Sequence, residues 1–224
     1  MELLLDTANL KAIEKYCDYY SIIGVTMNPT ILSREKGPFF ETCESIRKII
    51  GEEKQLHVQV TGRSCEEMLK EAEVITARLG KDVYIKVPVI EEGVKTMKLL
   101  KERGFYVTAT AVVSVQQAFL AGSVGADYVA PYINRMDSLN VNAFEAVARI
   151  RKIFDNQGIT TKILGASFKN TQQIMRTYEM GAHAVTVSPE HLTSMCSNAM
   201  TDLWVTTFEN DWIGLYGDRR IYEL

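Results

Sequence analysis

Eight short apolar runs, each followed by a segment whose apolar residues recur at helical spacing, constrain this chain more than any other feature. Residues 2–7 pair in this way with 10–20, 22–28 with 39–50, 56–61 with 65–79, and 83–89 with 92–103. The pattern continues with 106–112 and 115–123, 127–133 and 143–154, 162–167 and 171–180, and 184–188 and 190–200. Gly104, Gly125, Gly158 and Gly181 stand where helices should stop, as a residue free to take a left-handed conformation does. The strand runs have the near-continuous apolar character of a parallel sheet covered by helices. Eight such units in 224 residues, with no linker or shift in composition between them, predict an α/β fold, a single (β/α)8 TIM barrel. The barrel is expected over residues 1–200, with 201–224 as an additional C-terminal helix and tail. An open doubly wound sheet is the alternative.

Charge and cysteine usage narrow the partners. A net charge of −3 and a pI near 5.7 leave no basic field for nucleic acid, so a small-molecule partner is expected. The four cysteines, Cys17, Cys43, Cys65 and Cys196, form no CxxC pair, and with no charged leader before an apolar stretch they read as a reduced, cytoplasmic inventory. No apolar run is long enough to span a membrane. His57, His183 and His191 do not stand at ligand spacing, so no metal is expected. Neither a dinucleotide fingerprint nor a P-loop is present, and no cofactor is expected.

The fourth strand, Val83-Tyr84-Ile85-Lys86-Val87-Pro88-Val89, has a lysine in an otherwise buried run. Lys86 either snorkels to solvent or is held dry, where desolvation lowers its pKa and yields a neutral amine nucleophile. Strand alternation bears on the choice, because side chains two apart share a face. Asp6 then faces inward with Leu4, Thr26 with Asn28, His57 with Gln59, Tyr84 with Lys86, Thr108 with Thr110, Ala130 with Tyr132, and Gly165 with Ser167. The opposite parity, including Val58, Ile85, Val107, Ala109 and Ala111, faces the helices. Most inward polar residues come late in their strands, toward the mouth where barrels place chemistry. A carboxylate, an amide, a glutamine, a lysine, threonines, a phenol and a serine converging there are better explained by a site than by a core, since unpaired buried polar groups are destabilising.

Arg135, after the sixth strand, and Ser167 with Lys169, after the seventh, suit a phosphate by charge and hydroxyl. His57 reads as a core histidine with a backbone partner, and His183 and His191 as structural or surface residues. Trp204, Phe208, Trp212, Leu215 and Tyr216 form an aromatic stripe on a ninth helix, either a plug or a subunit interface.

The motifs Leu5-Asp6-Thr7, Gly24-Val25-Thr26-Met27-Asn28-Pro29-Thr30, Val58-Gln59-Val60, Ile85-Lys86-Val87-Pro88, Thr110-Ala111, Ala130-Pro131-Tyr132-Ile133-Asn134-Arg135, Ala166-Ser167-Phe168-Lys169 and Asp211-Trp212 resemble those of the transaldolase family, and within it the small fructose-6-phosphate aldolases. The resemblance implies that Lys86 forms the Schiff base. It implies that Asp6, Thr26, Asn28 and Ser167 hold the dihydroxyacetone hydroxyls, and that Arg135, Ser167 and Lys169 hold the phosphate of a sugar phosphate. Gln59, Thr110 and Tyr132 would hold a catalytic water. Transaldolases proper carry Glu, Asn and Phe at the positions of Gln59, Thr108 and Tyr132, so two of the three look like an aldolase. Thr108 matches neither pattern and is expected to touch substrate. Met27 replaces a second threonine on the helix-facing side. The implied activity is reversible cleavage of fructose 6-phosphate to dihydroxyacetone and glyceraldehyde 3-phosphate. Alternatives are a transaldolase, one acting on a sulfosugar analogue, or a silent sugar-phosphate-binding barrel. Relatives of this kind form pentamers and decamers, implying a homo-oligomer here.

Overall fold

The computed structural model describes residues 1–224. In chain order the first half runs β1 (Glu2–Asp6), α1 (Leu10–Tyr19), β2 (Ile22–Thr26), α2 (Pro29–Glu35), α3 (Phe39–Ile50), β3 (Gln55–Gln59), α4 (Cys65–Leu79), β4 (Tyr84–Pro88) and α5 (Glu91–Glu102). The second half runs β5 (Tyr106–Val112), α6 (Val115–Ser123), β6 (Tyr128–Pro131), α7 (Ile133–Ser138), α8 (Ala143–Gln157), β7 (Lys162–Gly165), α9 (Thr171–Glu179), β8 (Ala184–Val187), α10 (Pro189–Cys196) and α11 (Ala199–Tyr216). All strand pairs are parallel, and the ring closes from β8 onto β1. This is the (β/α)8 barrel, with an additional C-terminal helix.

Two compact units result, Met1–Pro189 and Glu190–Leu224, so the boundary expected at residue 200 falls within the second. No helix is long and apolar enough to cross a membrane.

The alternation read from the sequence is realised in packing. Val58, Ile85, Val87, Val107, Ala109 and Val129 are fully buried, each large side chain contributing about 1.5–3 kcal/mol of burial. Helix starts follow local chemistry. Ser64 accepts from the Glu67 amide while the Glu67 carboxylate accepts from the Ser64 N–H, a reciprocal cap that opens α4. Gly93 lies in the first turn of α5, where an added Cβ would stand 1.9 Å from the Pro88 carbonyl oxygen. Only glycine lets this helix close so tightly against the end of β4.

Two short helices, α2 and α7, were not expected from periodicity. Seven and six residues are too few to show a helical repeat. For α2 a local signal did exist, since Asn28 caps it and Pro29 occupies its first position, a favoured pairing.

The floor of the barrel is polar. His57 Nε2 lies 3.0 Å from Gln55 Oε1, and the Gln55 amide nitrogen donates to Tyr128, whose hydroxyl donates to Glu2. Glu2 in turn pairs with Lys162. Because Gln55 Oε1 can only accept, His57 carries its proton on Nε2, and Nδ1 accepts from the Thr108 hydroxyl at 2.9 Å. The expected backbone partner of His57 is therefore replaced by two side chains. His183 accepts from the Ile163 amide and lies 3.1 Å from Arg151, a structural role.

Candidate active site

A cavity of about 560 Å³ opens at the C-terminal mouth, within the usual range for ligand sites. Its wall includes Lys86, Asp6, Asn28, Gln59, Tyr132, Arg135 and Ser167. The barrel thus brings seven of the anticipated residues together.

Lys86 lies in β4, 4% exposed, with Gln59 of β3 and Thr108 of β5 as its cross-strand neighbours. Burial pulls its ammonium below the ordinary lysine range, and the Asp6 carboxylate pulls the other way. Asp6 shows the mirror effect. Burial pushes its carboxyl up, restrained by the charge of Lys86, the Thr26 hydroxyl and the charge of Arg34. Both shifts favour the uncharged pair, as desolvation of two facing ionisable groups does.

Asn28 accepts the Ile31 amide on its Oδ1 as the cap of α2, which leaves its NH2 as the donor available to the cavity. Gln59 Oε1 is buried and has no hydrogen-bond partner within the protein, an acceptor suited to a water or a ligand hydroxyl. Thr110 Oγ1 lies 2.9 Å from the Tyr132 hydroxyl. Burial raises the Tyr132 phenol above the ordinary tyrosine range, and the Thr110 contact holds it back. Tyr132 therefore remains protonated at neutral pH.

Three anticipated binding residues lie elsewhere. Thr26 is fully buried and donates to Asp6 at 2.7 Å while accepting from Thr186, so it supports the carboxylate from below. Thr108 is fully buried and committed to His57 beneath the lysine. Lys169 is exposed and outside the cavity wall, which its neighbour Phe168 joins.

Among the wall residues that were not anticipated as site residues are Arg34, Ala111, Thr186 and Ser188. Thr186 in β8 and Ser188 just beyond it follow the two-residue alternation of that strand and could have been read from it. Ala111 could not. The β5–β6 register shifts between Ala109 and Val112, and Ala111 takes φ +57°, so parity is reset by a bulge. Ser167 has φ +59°. Left-handed non-glycine residues are uncommon and tend to sit at functional sites; both of these face the cavity. No three His, Cys, Asp or Glu side chains gather where they could hold a metal ion.

Comparison with known proteins bears on the chemistry. The profile of the family Transaldolase/Fructose-6-phosphate aldolase matches residues 3–213. The chain belongs to this family. A probable fructose-6-phosphate aldolase from Streptococcus pneumoniae is 40% identical over 222 residues, covering 99% of this chain and 100% of that one. A probable transaldolase from Petrotoga mobilis is 39% identical over 212 residues, 95% of each chain. Among solved structures, a flavocytochrome b2 variant with sulfite bound superposes with a TM-score of 0.61 at 9% identity, over 84% of this chain and 57% of that one. That likeness shows the barrel fold alone. Membership of the transaldolase/fructose-6-phosphate aldolase family makes this an enzyme of aldolase or transaldolase type.

Proposed function

We propose that the chain is a class I aldolase that reversibly cleaves fructose 6-phosphate through a Schiff base on Lys86. The observation that carries the reading is a lysine 4% exposed, with its ammonium destabilised by burial, opposite Asp6 and Tyr132 in one cavity. A neutral Lys86 amine adds to the C2 carbonyl, and loss of water gives an iminium. Asp6, whose carboxyl burial pushes upward, gives and takes protons in those steps. The iminium withdraws electrons as the C3–C4 bond breaks, a water between Gln59 Oε1 and the Tyr132–Thr110 pair accepting the C4 hydroxyl proton. The aldehyde phosphate leaves. Tyr132, kept as a phenol, supplies through that water the proton that quenches the enamine, and hydrolysis frees dihydroxyacetone and Lys86.

Asn28 and Ser167 are assigned to the donor hydroxyls and Arg135 with Ser167 to the phosphate. Thr26 acts through Asp6. The Gln59, Thr110 and Tyr132 set favours water as the final proton source, hence an aldolase; capture of the enamine by a second aldehyde would make the same site a transaldolase.

Borohydride reduction with fructose 6-phosphate, followed by peptide mass mapping, should place an adduct on Lys86, and Lys86→Met should give none. An adduct-free wild type would sink the Schiff-base reading. Release of glyceraldehyde 3-phosphate should not depend on added erythrose 4-phosphate; strict dependence would move the assignment to transaldolase.

The four cysteines are free thiols, in keeping with a cytoplasmic enzyme. A homo-oligomer, pentameric or decameric by analogy, is part of the same reading. It is supported by the exposed apolar side chains of α11, among them Trp204 at 54%, Phe208 at 67% and Leu215 at 72%.

A further inference from the structure

The polar floor beneath Lys86 is one hydrogen-bonded chain in which every donor points the same way. Its far end lies away from the cavity, where Glu2, Gln55, Tyr128 and Lys162 each open a strand. Burial pushes the Glu2 carboxyl up, but hydrogen bonds from Lys162 and Tyr128 hold it below the ordinary range, so Glu2 is a carboxylate. A carboxylate only accepts, and the Tyr128 hydroxyl therefore donates to it at 2.7 Å. The Tyr128 oxygen then accepts from the Gln55 NH2 at 3.2 Å. That turns Gln55 Oε1 to His57 and puts the imidazole proton on Nε2. Nδ1 is left as an acceptor, and the Thr108 hydroxyl directs its only proton to it at 2.9 Å. Tyr84 stacks on the imidazole with centroids 4.4 Å apart, and Tyr128 lies against it at 62°, which holds the plane of the ring. His57 and Thr108 are fully buried, where aligned hydrogen bonds polarise one another.

The near end of the chain meets Lys86. Thr108 is the register partner of Lys86 on β5, and the charge of Lys86 reaches His57. With its proton directed down to His57, Thr108 turns lone pairs and no donor toward the lysine. We propose that His57 and Thr108 are positioning residues for Lys86, and that Glu2, at the opposite end of the barrel, sets the direction of their hydrogen bonds. The proposal rests on the aldolase reading above and adds three residues to it. An amine nucleophile needs its lone pair free, and a hydroxyl proton aimed at it would tie that pair up. An edge of lone pairs does the reverse, and it favours the positive charge that develops as the iminium forms. Glu2→Gln reverses the chain by the same logic. Lys162 claims the new amide oxygen, which leaves the NH2 to donate to Tyr128. Tyr128 then donates to Gln55, Gln55 to Nε2, and Nδ1–H to Thr108, whose proton turns toward Lys86.

The test pairs a tautomer measurement with a rate. Magic-angle-spinning NMR of the protein labelled with nitrogen-15 histidine reads which ring nitrogen is protonated; the chain has three histidines, and His57→Leu identifies the signal. The wild type should show Nε2–H at His57, and Glu2→Gln should show Nδ1–H. The rate of borohydride trapping at Lys86 with fructose 6-phosphate should fall about threefold to tenfold in Glu2→Gln, the size of one hydrogen bond. Thr108→Val, which removes the hydroxyl with little change in shape, should fall by a similar factor, and Thr108→Ser should restore the wild-type rate. If Glu2→Gln leaves the proton on Nε2, or moves it while trapping keeps the wild-type rate, the proposal fails and the aldolase reading stands. Trapping by Thr108→Val at the wild-type rate overturns it equally. If the wild type forms no adduct at Lys86, both fall.

Discussion

At the scale of single residues, two threonines expected to touch substrate are instead committed to neighbouring side chains, Thr26 to Asp6 and Thr108 to His57. Thr26 donates to Asp6 from a fully buried position. Thr26→Val removes that donor with little change in shape and strands Thr186, so a stability loss of about 1–3 kcal/mol is expected. The hydrogen bond favours the carboxylate form, and without it the Asp6 pKa rises further. The acid limb of the kcat/KM profile should therefore move to higher pH, which a pH–rate comparison with the wild type checks. His57 gives a stability prediction. Burial and the charge of Lys86 hold its folded-state pKa well below the ordinary value, so below about pH 6.5 the unfolded chain takes up a proton that the folded chain does not. Its contribution is complete above that pH and is lost as pH falls toward the folded pKa. His57→Leu should flatten the decline in urea midpoint from pH 6.5 to 5 relative to wild type; parallel curves would refute it.

At the scale of elements, the strands place the lysine and the short helices set the rim. The junction from β4 to α5 is the tightest of these, since Gly93 admits no Cβ against Pro88. Gly93→Ala should cost about 1–3 kcal/mol as an overpacking change. It should also lower kcat, because the carbonyl that must move lies two residues beyond Lys86 in the same strand. Urea unfolding and steady-state kinetics on the one variant measure both. The periodic helices and all eight strands were legible, because twelve or so residues record a face in their spacing. Helices α2 and α7 were not, being too short to complete a repeat, and they carry both arginines of the wall. The bulge at Ala111 was likewise invisible, since one extra residue changes the inward face without changing the apolar content.

At the scale of the whole molecule, the aromatic stripe on α11 divides. Trp212 and Tyr216 pack with ring centroids 4.5 Å apart and planes tilted by 38°, and the indole N–H donates to the Arg219 carbonyl, so these two rings help hold the C-terminal turn. Trp204 and Phe208 remain exposed. Truncation after Met200 should lower the mass measured by light scattering if α11 joins subunits; an unchanged assembly would refute that role.

By itself the sequence determined the barrel, the lysine's strand and the inward face of most strands, because periodicity of two or of about 3.6 is a local property that burial converts directly into position. What the tertiary structure decided is which inward polar groups reach the cavity. Thr26, Asp6 and Thr186 belong to three strands and form one hydrogen-bonded chain, and Thr108 faces inward yet stops at His57. Depth along the barrel axis depends on the stagger between neighbouring strands, which no single strand encodes. The order of the closed ring, in which β2 and β6 stand four places apart, is likewise encoded in no single strand, and it sets where Arg34 and Arg135 join the cavity wall.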